Sequence, residues 1–144
     1  MSACAPSSCG AAYPVQYGSS DAPIALTLYP MVLTPIDPAP YQVAVAKCAS
    51  AMVTFAGTIT LAALASTTTV NLVLSYYNTA LPSIVTQQMV PVVATLAPAV
   101  ATPISSSLAV SLAPGTYAFN VAFDSEGAVA SVGVSGLLNI VVIP

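Results

Sequence analysis

Large apolar residues alternate with small polar ones along much of this chain. The clearest alternation runs from Ile104 to Leu112, where only Ser106 interrupts the apolar side, and it resumes from Tyr117 to Phe123. A period of two places successive side chains on opposite faces of a strand. One face of each segment is therefore expected to pack on a core.

The residues between these two segments suit a tight turn. Pro114 presets φ near −65°, and Gly115 accepts the positive φ that a type II turn needs next. Pro114 and Gly115 are therefore predicted as a structural turn. The pattern predicts a β-hairpin over 105–123.

Other alternating segments are bounded by proline, serine and asparagine. They are predicted strands at 24–29, 41–46, 53–64 and 69–77, and an apolar last strand at 137–143. Residues 30–40 are predicted as an extended connector, and Pro91, Pro98 and Pro103 as the bounds of a loop-like passage. No helical period is sustained. The fold class predicted is all-β: an antiparallel β-sandwich, specifically an eight-stranded jelly roll.

The first residues differ in composition from the rest. Residues 1–22 contain small residues, two cysteines, Tyr13 and Tyr17, and too few large apolar residues to fold alone. They are predicted as an extended N-terminal arm, with residues 23–144 as the β-sandwich domain. Tyr13 and Tyr17 are the candidate anchors of this arm during assembly.

Charge is almost absent from the 144 residues. Only 3% of the residues are charged and the net charge is −3, whereas ordinary soluble domains have roughly 25% charged residues. So few charges do not keep a surface free of self-association. The chain is therefore expected to bury much of its surface against copies of itself. A single basic residue argues against nucleic acid as a partner.

A membrane is the other environment that could cover an uncharged surface. The segment 53–77 is long enough to cross a bilayer as a helix. Its alternation and its threonine content instead favour strands, and no basic flanks set a topology. The sequence therefore predicts no membrane partner.

Few residues could support catalysis. The chain has no histidine and only one basic side chain, so most acid–base machinery is missing. Asp124 and Glu126 lie two apart in a turn, where hydrophilic capping is favoured over a weak calcium site. The sequence predicts no enzyme, no metal site and no cofactor.

Three cysteines, Cys4, Cys9 and Cys48, leave at least one without a partner inside the chain. In an oxidising environment an odd cysteine indicates an intermolecular bridge or a free thiol. All three are candidates for an intersubunit disulfide. Cys48 is the only one outside the arm, and three unreacted thiols in a reducing compartment are the alternative.

Two families share features with these segments. The strand 69–77, the Pro-Gly-Thr-Tyr-Ala-Phe run at 114–119 and the apolar last strand resemble tumour-necrosis-factor-like jelly rolls found at spore surfaces. The arm with Cys4 and Cys9 is similar to endospore appendage subunits, and this resemblance implies arms that link stacked subunits through disulfides. The chain lacks the cysteine that appendage subunits carry in the final strand.

These observations predict a non-enzymatic structural subunit. It would self-assemble into a surface filament or shell through low-charge sandwich faces and the cysteine-bearing arm, outside a cell or on a spore or cell surface. The first alternative is a capsid, decoration or tail protein in a virion. The second is a small carbohydrate-binding module, which would require exposed tyrosines around a concavity.

Overall fold

The computed structural model describes residues 11–19, 21–37, 39–62, 67–80, 87–88 and 92–143. All the regular structure in these residues is β-strand. The strands are β1 (Ala11–Tyr17), β2 (Ile24–Leu28), β3 (Thr34–Pro35), β4 (Tyr41–Val45), β5 (Ala49–Leu61), β6 (Thr68–Asn78), β7 (Gln87–Gln88), β8 (Val92–Leu96), β9 (Ala101–Leu112), β10 (Gly115–Glu126) and β11 (Ala130–Ile143).

The strands form two antiparallel sheets. In the first, called sheet I, β1 and β2 lie end to end along one side of β11, followed by β5 and β9. In the second, sheet II, β3 and β4 share one side of β10, followed by β6, and β7 and β8 share the far side of β6. The described strands therefore fill four positions in each sheet. This arrangement confirms the predicted jelly-roll sandwich.

The core lies between the two sheets. The rings of Phe55 from sheet I and Phe123 from sheet II meet edge to face, with centroids 6.3 Å apart. Phe119 stacks on Tyr76 at 5.9 Å within sheet II. The inward side chains predicted for β9 and β10 are confirmed, and Ile104 and Phe119 are among those buried.

Glycines make room for one of the central rings. Gly57 of β5 pairs with Gly136 of β11, and both point into the core. A Cβ on Gly136 would lie 2.6 Å from the ring carbon Cζ of Phe55. Phe55 therefore occupies the space that side chains on this cross-strand pair would fill.

The predicted hairpin over 105–123 is wrong. The first segment pairs with β5 in sheet I, and the second pairs with β4 and β6 in sheet II. Ala113 and Pro114 therefore cross from one sheet to the other. Alternation is the same in a hairpin and in a crossing between packed sheets, because both bury one face of each strand.

Further details differ from the predicted elements. The short strand β3 lies within the predicted connector 30–40, and the last strand begins at Ala130 and not at 137. Val92–Leu96, predicted within a loop-like passage, is strand β8. Strand β5 begins at Ala49, earlier than expected, and ends at Leu61, so the predicted strand end at 63–64 falls outside the described residues.

Within the predicted arm, residues 11–17 belong to sheet I. β1 pairs with β11 from Ala11 to Tyr17, and Tyr17 is 6% exposed in the core. Residues 1–10 lie outside the described part of the chain, so the division at residue 22 stays a prediction.

Candidate assembly surface

The outward face of sheet I is called the uncharged face. Its register aligns uncharged residues in rows across four strands. One row contains Pro14, Asn139, Thr54 and Ser107. The neighbouring rows contain Gln16, Leu137, Ala56 and Ser105 on one side, and Ala12, Val141, Met52 and Ala109 on the other.

None of the outward residues on β1, β2, β5, β9 and β11 is charged. The largest of them are exposed apolar side chains: Met52 is 46% exposed, Leu137 is 40% and Ile143 is 52%. A solvated sheet face ordinarily carries lysine and glutamate among its outward residues. The composition of this face resembles that of a surface that is covered.

The charged residues lie away from the uncharged face. Asp21, Asp37 and Lys47 are exposed in loops between strands. Asp124 lies at the end of β10, where its Oδ1 accepts a hydrogen bond of 2.7 Å from Nδ2 of Asn71. Glu126 is exposed at the last position of β10, so both acidic residues lie in a strand and the turn predicted for them is wrong. The limited charge of the chain is therefore confined to loops and to one end of sheet II.

Exposed apolar residues also gather at one end of the sandwich, called the apolar end. It consists of the β2–β3 connection, the β10–β11 connection and the β8–β9 connection. The backbone N–H of Ser125 donates to the carbonyl of Tyr29 at 3.3 Å, and Leu28 pairs with Ala130, which brings the first two connections together. The exposed large residues here are Tyr29, Met31, Val32, Leu33, Val100 and Val129.

The turn at the tip of the apolar end presents a methionine to solvent. Val32 N–H donates to the carbonyl of Tyr29, Pro30 occupies the second position, and Met31 the third with φ of 61°. This is the arrangement of a type II turn, whose third position favours glycine. Met31 is 93% exposed.

A second turn of the same kind connects β8 to β9. Val100 N–H donates to the carbonyl of Ala97, and Ala99, after Pro98, has φ of 60°. The N–H of Ala99 also donates to the carbonyl of Leu61 at 2.9 Å. Both strained turns therefore lie at the apolar end.

The opposite end of the sandwich has a shallow recess of about 400 Å³. It lies between the start of β5 and the end of β9, and its lining is small and uncharged: Cys48, Ala49, Ser50, Ser111, Leu112 and Ala113. Cys48 is exposed as a free thiol. Its predicted partners Cys4 and Cys9 lie outside the described residues, so the intersubunit disulfide stays a prediction.

The tyrosines do not form a common surface. Tyr13 and Tyr41 lie 6.4 Å apart between ring centroids and pack against the core of their own subunit. Tyr17 is buried, and its burial, followed by the charge of Asp37, raises the pKa of its phenol. Tyr29 is the one exposed tyrosine, at 47%. Anchoring of a neighbour by Tyr13 and Tyr17 stays a prediction.

Gly115 lies where the chain enters sheet II. It has φ of 154°, and a Cβ there would approach the side chain of Asn78 at 3.2 Å. Two residues further on, the Tyr117 hydroxyl donates to the carbonyl of Ala113 at 2.8 Å. This hydrogen bond connects the segment that crosses between the sheets to β10.

Among the residues that the structure describes, no group of three or more metal-ligating side chains comes together. No helix in that part of the chain is long and apolar enough to cross a membrane.

Sequence reasoning missed the apolar end. The available signal was the run Met31-Val32-Leu33 directly after a proline, in a segment without strand alternation. Large apolar residues in a connector have no core face to occupy, so they indicate either a buried loop or an exposed contact.

No family model and no curated protein matches this sequence. Among solved structures, the VP2 subviral particle of infectious bursal disease virus aligns with a TM-score of 0.62 at 8% identity, covering 92% of this chain and 32% of that one. The Gx strain of the same virus aligns with a TM-score of 0.57 at 9% identity, covering 93% and 32%. Eiger TNF from S. frugiperda aligns with a TM-score of 0.57 at 12% identity, covering 94% and 93%.

The chain thus spans about a third of the length of the virus proteins it matches. At these identities the likeness concerns the fold alone. It agrees with the jelly roll predicted from the sequence, and the TNF-like resemblance is supported at the level of the fold. A spore-surface or appendage relationship stays a prediction.

Proposed function

We propose that this chain is a non-enzymatic structural subunit that assembles with copies of itself into a closed protein shell, such as that of a virus particle. The uncharged face is the contact surface. This choice favours the shell over the filament, because solved structures with the same fold include virus particles.

The observation that carries the proposal is the absence of charge from the uncharged face. With about 4.8 Å between strands and about 3.3 Å per residue, four strands of a dozen residues cover roughly 19 by 40 Å. That area is close to the roughly 800 Å² that each partner buries in a standard protein interface. The face is therefore large enough to support one stable contact.

A filament remains the second candidate, supported by the two ends of the sandwich. The apolar end projects Met31 at its tip, and the recess at the opposite end is uncharged. Joining unlike ends is a heterologous contact, which gives an open filament when the rotation does not close.

The experiment is negative-stain electron microscopy and light scattering of the purified chain. We expect closed particles of uniform size. Filaments would support the second candidate, and a stable monomer at micromolar concentration would contradict both.

A charged variant tests which face makes the contact. Ala56 is exposed in the middle of the uncharged face, so Ala56→Lys should reduce particle mass by at least tenfold without unfolding the subunit. Gln42→Lys is the matched control, because Gln42 is exposed on β4 in sheet II. If both variants assemble normally, the uncharged face is not the contact.

A further inference from the structure

One edge of sheet I differs from the other sheet edges among the described residues. β1 and β2 are separated by residues 18–23, β3 and β4 by residues 36–40, and β7 and β8 are likewise two strands. β9 is a single strand of 12 residues. It is the one described edge formed by a continuous strand.

Strand β9 lacks most features that protect an edge from pairing. Edge strands are usually kept apart by charges, prolines, bulges or short length. β9 has no charged residue, pairs with β5 residue by residue from Ala101 to Leu112, and contains only Pro103 near its start.

The hydrogen bonds around β5 show which groups of β9 point outward. The carbonyl of Leu61 accepts from Ala99 on the β9 side, and the N–H of Ala62 donates to Ser131 on the β11 side. Odd-numbered residues of β5 thus direct their backbone groups toward β9, and they pair with even-numbered residues there.

The odd-numbered residues of β9 therefore direct their N–H and carbonyl groups away from the sheet. Pro103 fits this assignment, because proline in a strand is tolerated where its missing N–H would face solvent. Among the described residues β9 pairs with no strand other than β5, so the outward groups of Ser105, Ser107, Ala109 and Ser111 make no ladder hydrogen bonds there.

Side chains at this edge are also incompletely covered. Leu108 and Val110 point inward and touch the core, but both are only half-buried. A strand added beside β9 would cover these two apolar side chains as well as the open backbone groups.

We propose that β9 pairs antiparallel with β9 of a second copy, joining two sheets I into one continuous sheet about a twofold axis at Ser106. This inference rests on the proposed self-assembly and specifies one of its contacts. In an antiparallel pair, residues that lie directly opposite each other have their side chains on the same face of the sheet. An even-numbered residue must therefore face an even-numbered one, so the twofold axis lies between two copies of the same residue.

With the axis at Ser106, the two copies of β9 pair along almost their whole length. The pairing aligns Ala101 with Ser111 of the second copy, and it forms about ten hydrogen bonds, since each facing odd-numbered pair exchanges two and Pro103 donates none. An axis at Ser107 would leave Ala101 opposite Ala113, beyond the strand end.

Side-chain pairing favours the same axis. Ile104 would lie opposite Leu108 of the second copy, and Ser106 opposite its own equivalent. Val110 would face Thr102, so the apolar contact is made by Ile104 and Leu108. An axis at Ser107 would place Ser106 opposite Leu108. The serine that interrupts the apolar side of β9 thus lies at the centre of the pair.

Disulfide trapping tests this register. In a chain with Cys4, Cys9 and Cys48 changed to Ser, Ser106→Cys places two thiols in a facing antiparallel pair, within the Cα separation that a disulfide spans. Under mild oxidation we expect Ser106→Cys to form covalent dimers at least tenfold faster than Ser107→Cys. Ser131→Cys is the control, because Ser131 is exposed on β11, away from the edge.

Equal rates for Ser106→Cys and Ser131→Cys would overturn the proposal, as would faster trapping of Ser107→Cys. Failure of trapping in a preparation that still forms particles would overturn only the edge pairing and leave the proposed function standing. Disulfide trapping in a preparation that forms no particles would contradict the proposed shell and support the β9 pairing.

A second variant covers the case in which Ser106→Cys does not fold. Ser107→Pro removes an outward N–H and none that bonds to β5, so the subunit should fold while the dimer dissociation constant rises at least tenfold. Ser107→Ala keeps that N–H and should dimerise normally. A dimer unaffected by Ser107→Pro would contradict the pairing.

Discussion

At the scale of single residues, the two type II turns of the apolar end carry backbone strain without glycine. Met31 and Ala99 have φ near +60°, where a side chain costs about 1–2 kcal/mol. Such strain is retained where the surrounding structure, or a function, holds it in place. Met31 is the more informative of the two because its side chain is almost wholly exposed.

Met31→Gly should separate the stability of the subunit from its assembly. Relief of strain, less the larger entropy of glycine in the unfolded chain, should raise the free energy of unfolding by about 0.5–1 kcal/mol. If the apolar end contacts a neighbour, end-to-end association should weaken at the same time. Chemical denaturation and light scattering measure the two effects.

Ala99→Gly is the matched control for that variant, because it relieves the same strain without removing a large apolar side chain. We expect it to stabilise the subunit and leave association unchanged. Equal association of both variants would show that Met31 makes no contact between subunits, and a lower stability of Met31→Gly would mean that its turn is unstrained.

At the scale of elements, residue alternation predicted faces correctly but did not identify partners. The inward sides of β9 and β10 follow directly from the pattern, because burial of one face requires a period of two. The partner of β9 is β5, some fifty residues earlier in the sequence, and nothing local distinguishes it from β10. Pairing between distant strands depends on the whole core, so the hairpin prediction failed where sequence neighbours entered different sheets.

Part of the candidate surface could be foreseen by the same reasoning. The alternation of β9 places Ser105, Ser107, Ala109 and Ser111 on the face opposite the core, so an outward row of small residues follows from the sequence. The alignment of this row with Leu137 and Met52 does not follow from it, because that alignment requires the register of three strands. The predicted function also depends on the cysteine-bearing arm, but Cys4 and Cys9 lie outside the described part of the chain.

The Gly57–Gly136 pair yields a prediction at this scale. Gly136→Ala should lower the free energy of unfolding by about 1–3 kcal/mol, because its Cβ would collide with the Phe55 ring and with backbone of β5. Denaturant midpoints measure the change. Gly133→Ala, on the same strand, is the control, since its Cβ would meet only the ring of Pro23 at 3.3 Å. Equal midpoints for the two variants would mean that Phe55 does not fill this space.

At the scale of the whole molecule, the distribution of charge limits the forces available for assembly. Lys47 is the only basic side chain, and it lies in the loop between β4 and β5, off the uncharged face. Any ion pair between side chains of neighbouring subunits would therefore have to include Lys47. The contacts proposed across the uncharged face and the β9 edge would depend instead on apolar burial and backbone hydrogen bonds, which salt screens little.

Assembly is therefore expected to be insensitive to ionic strength. Raising NaCl from about 0.05 M to about 1 M should leave particle mass unchanged or increase it, because salt screens the repulsion between subunits of net charge −3. Light scattering across a salt series measures this, with Lys47→Gln as the companion variant. Dissociation at high salt, together with loss of assembly in Lys47→Gln, would show that an ion pair at Lys47 joins the subunits and that the uncharged face does not suffice.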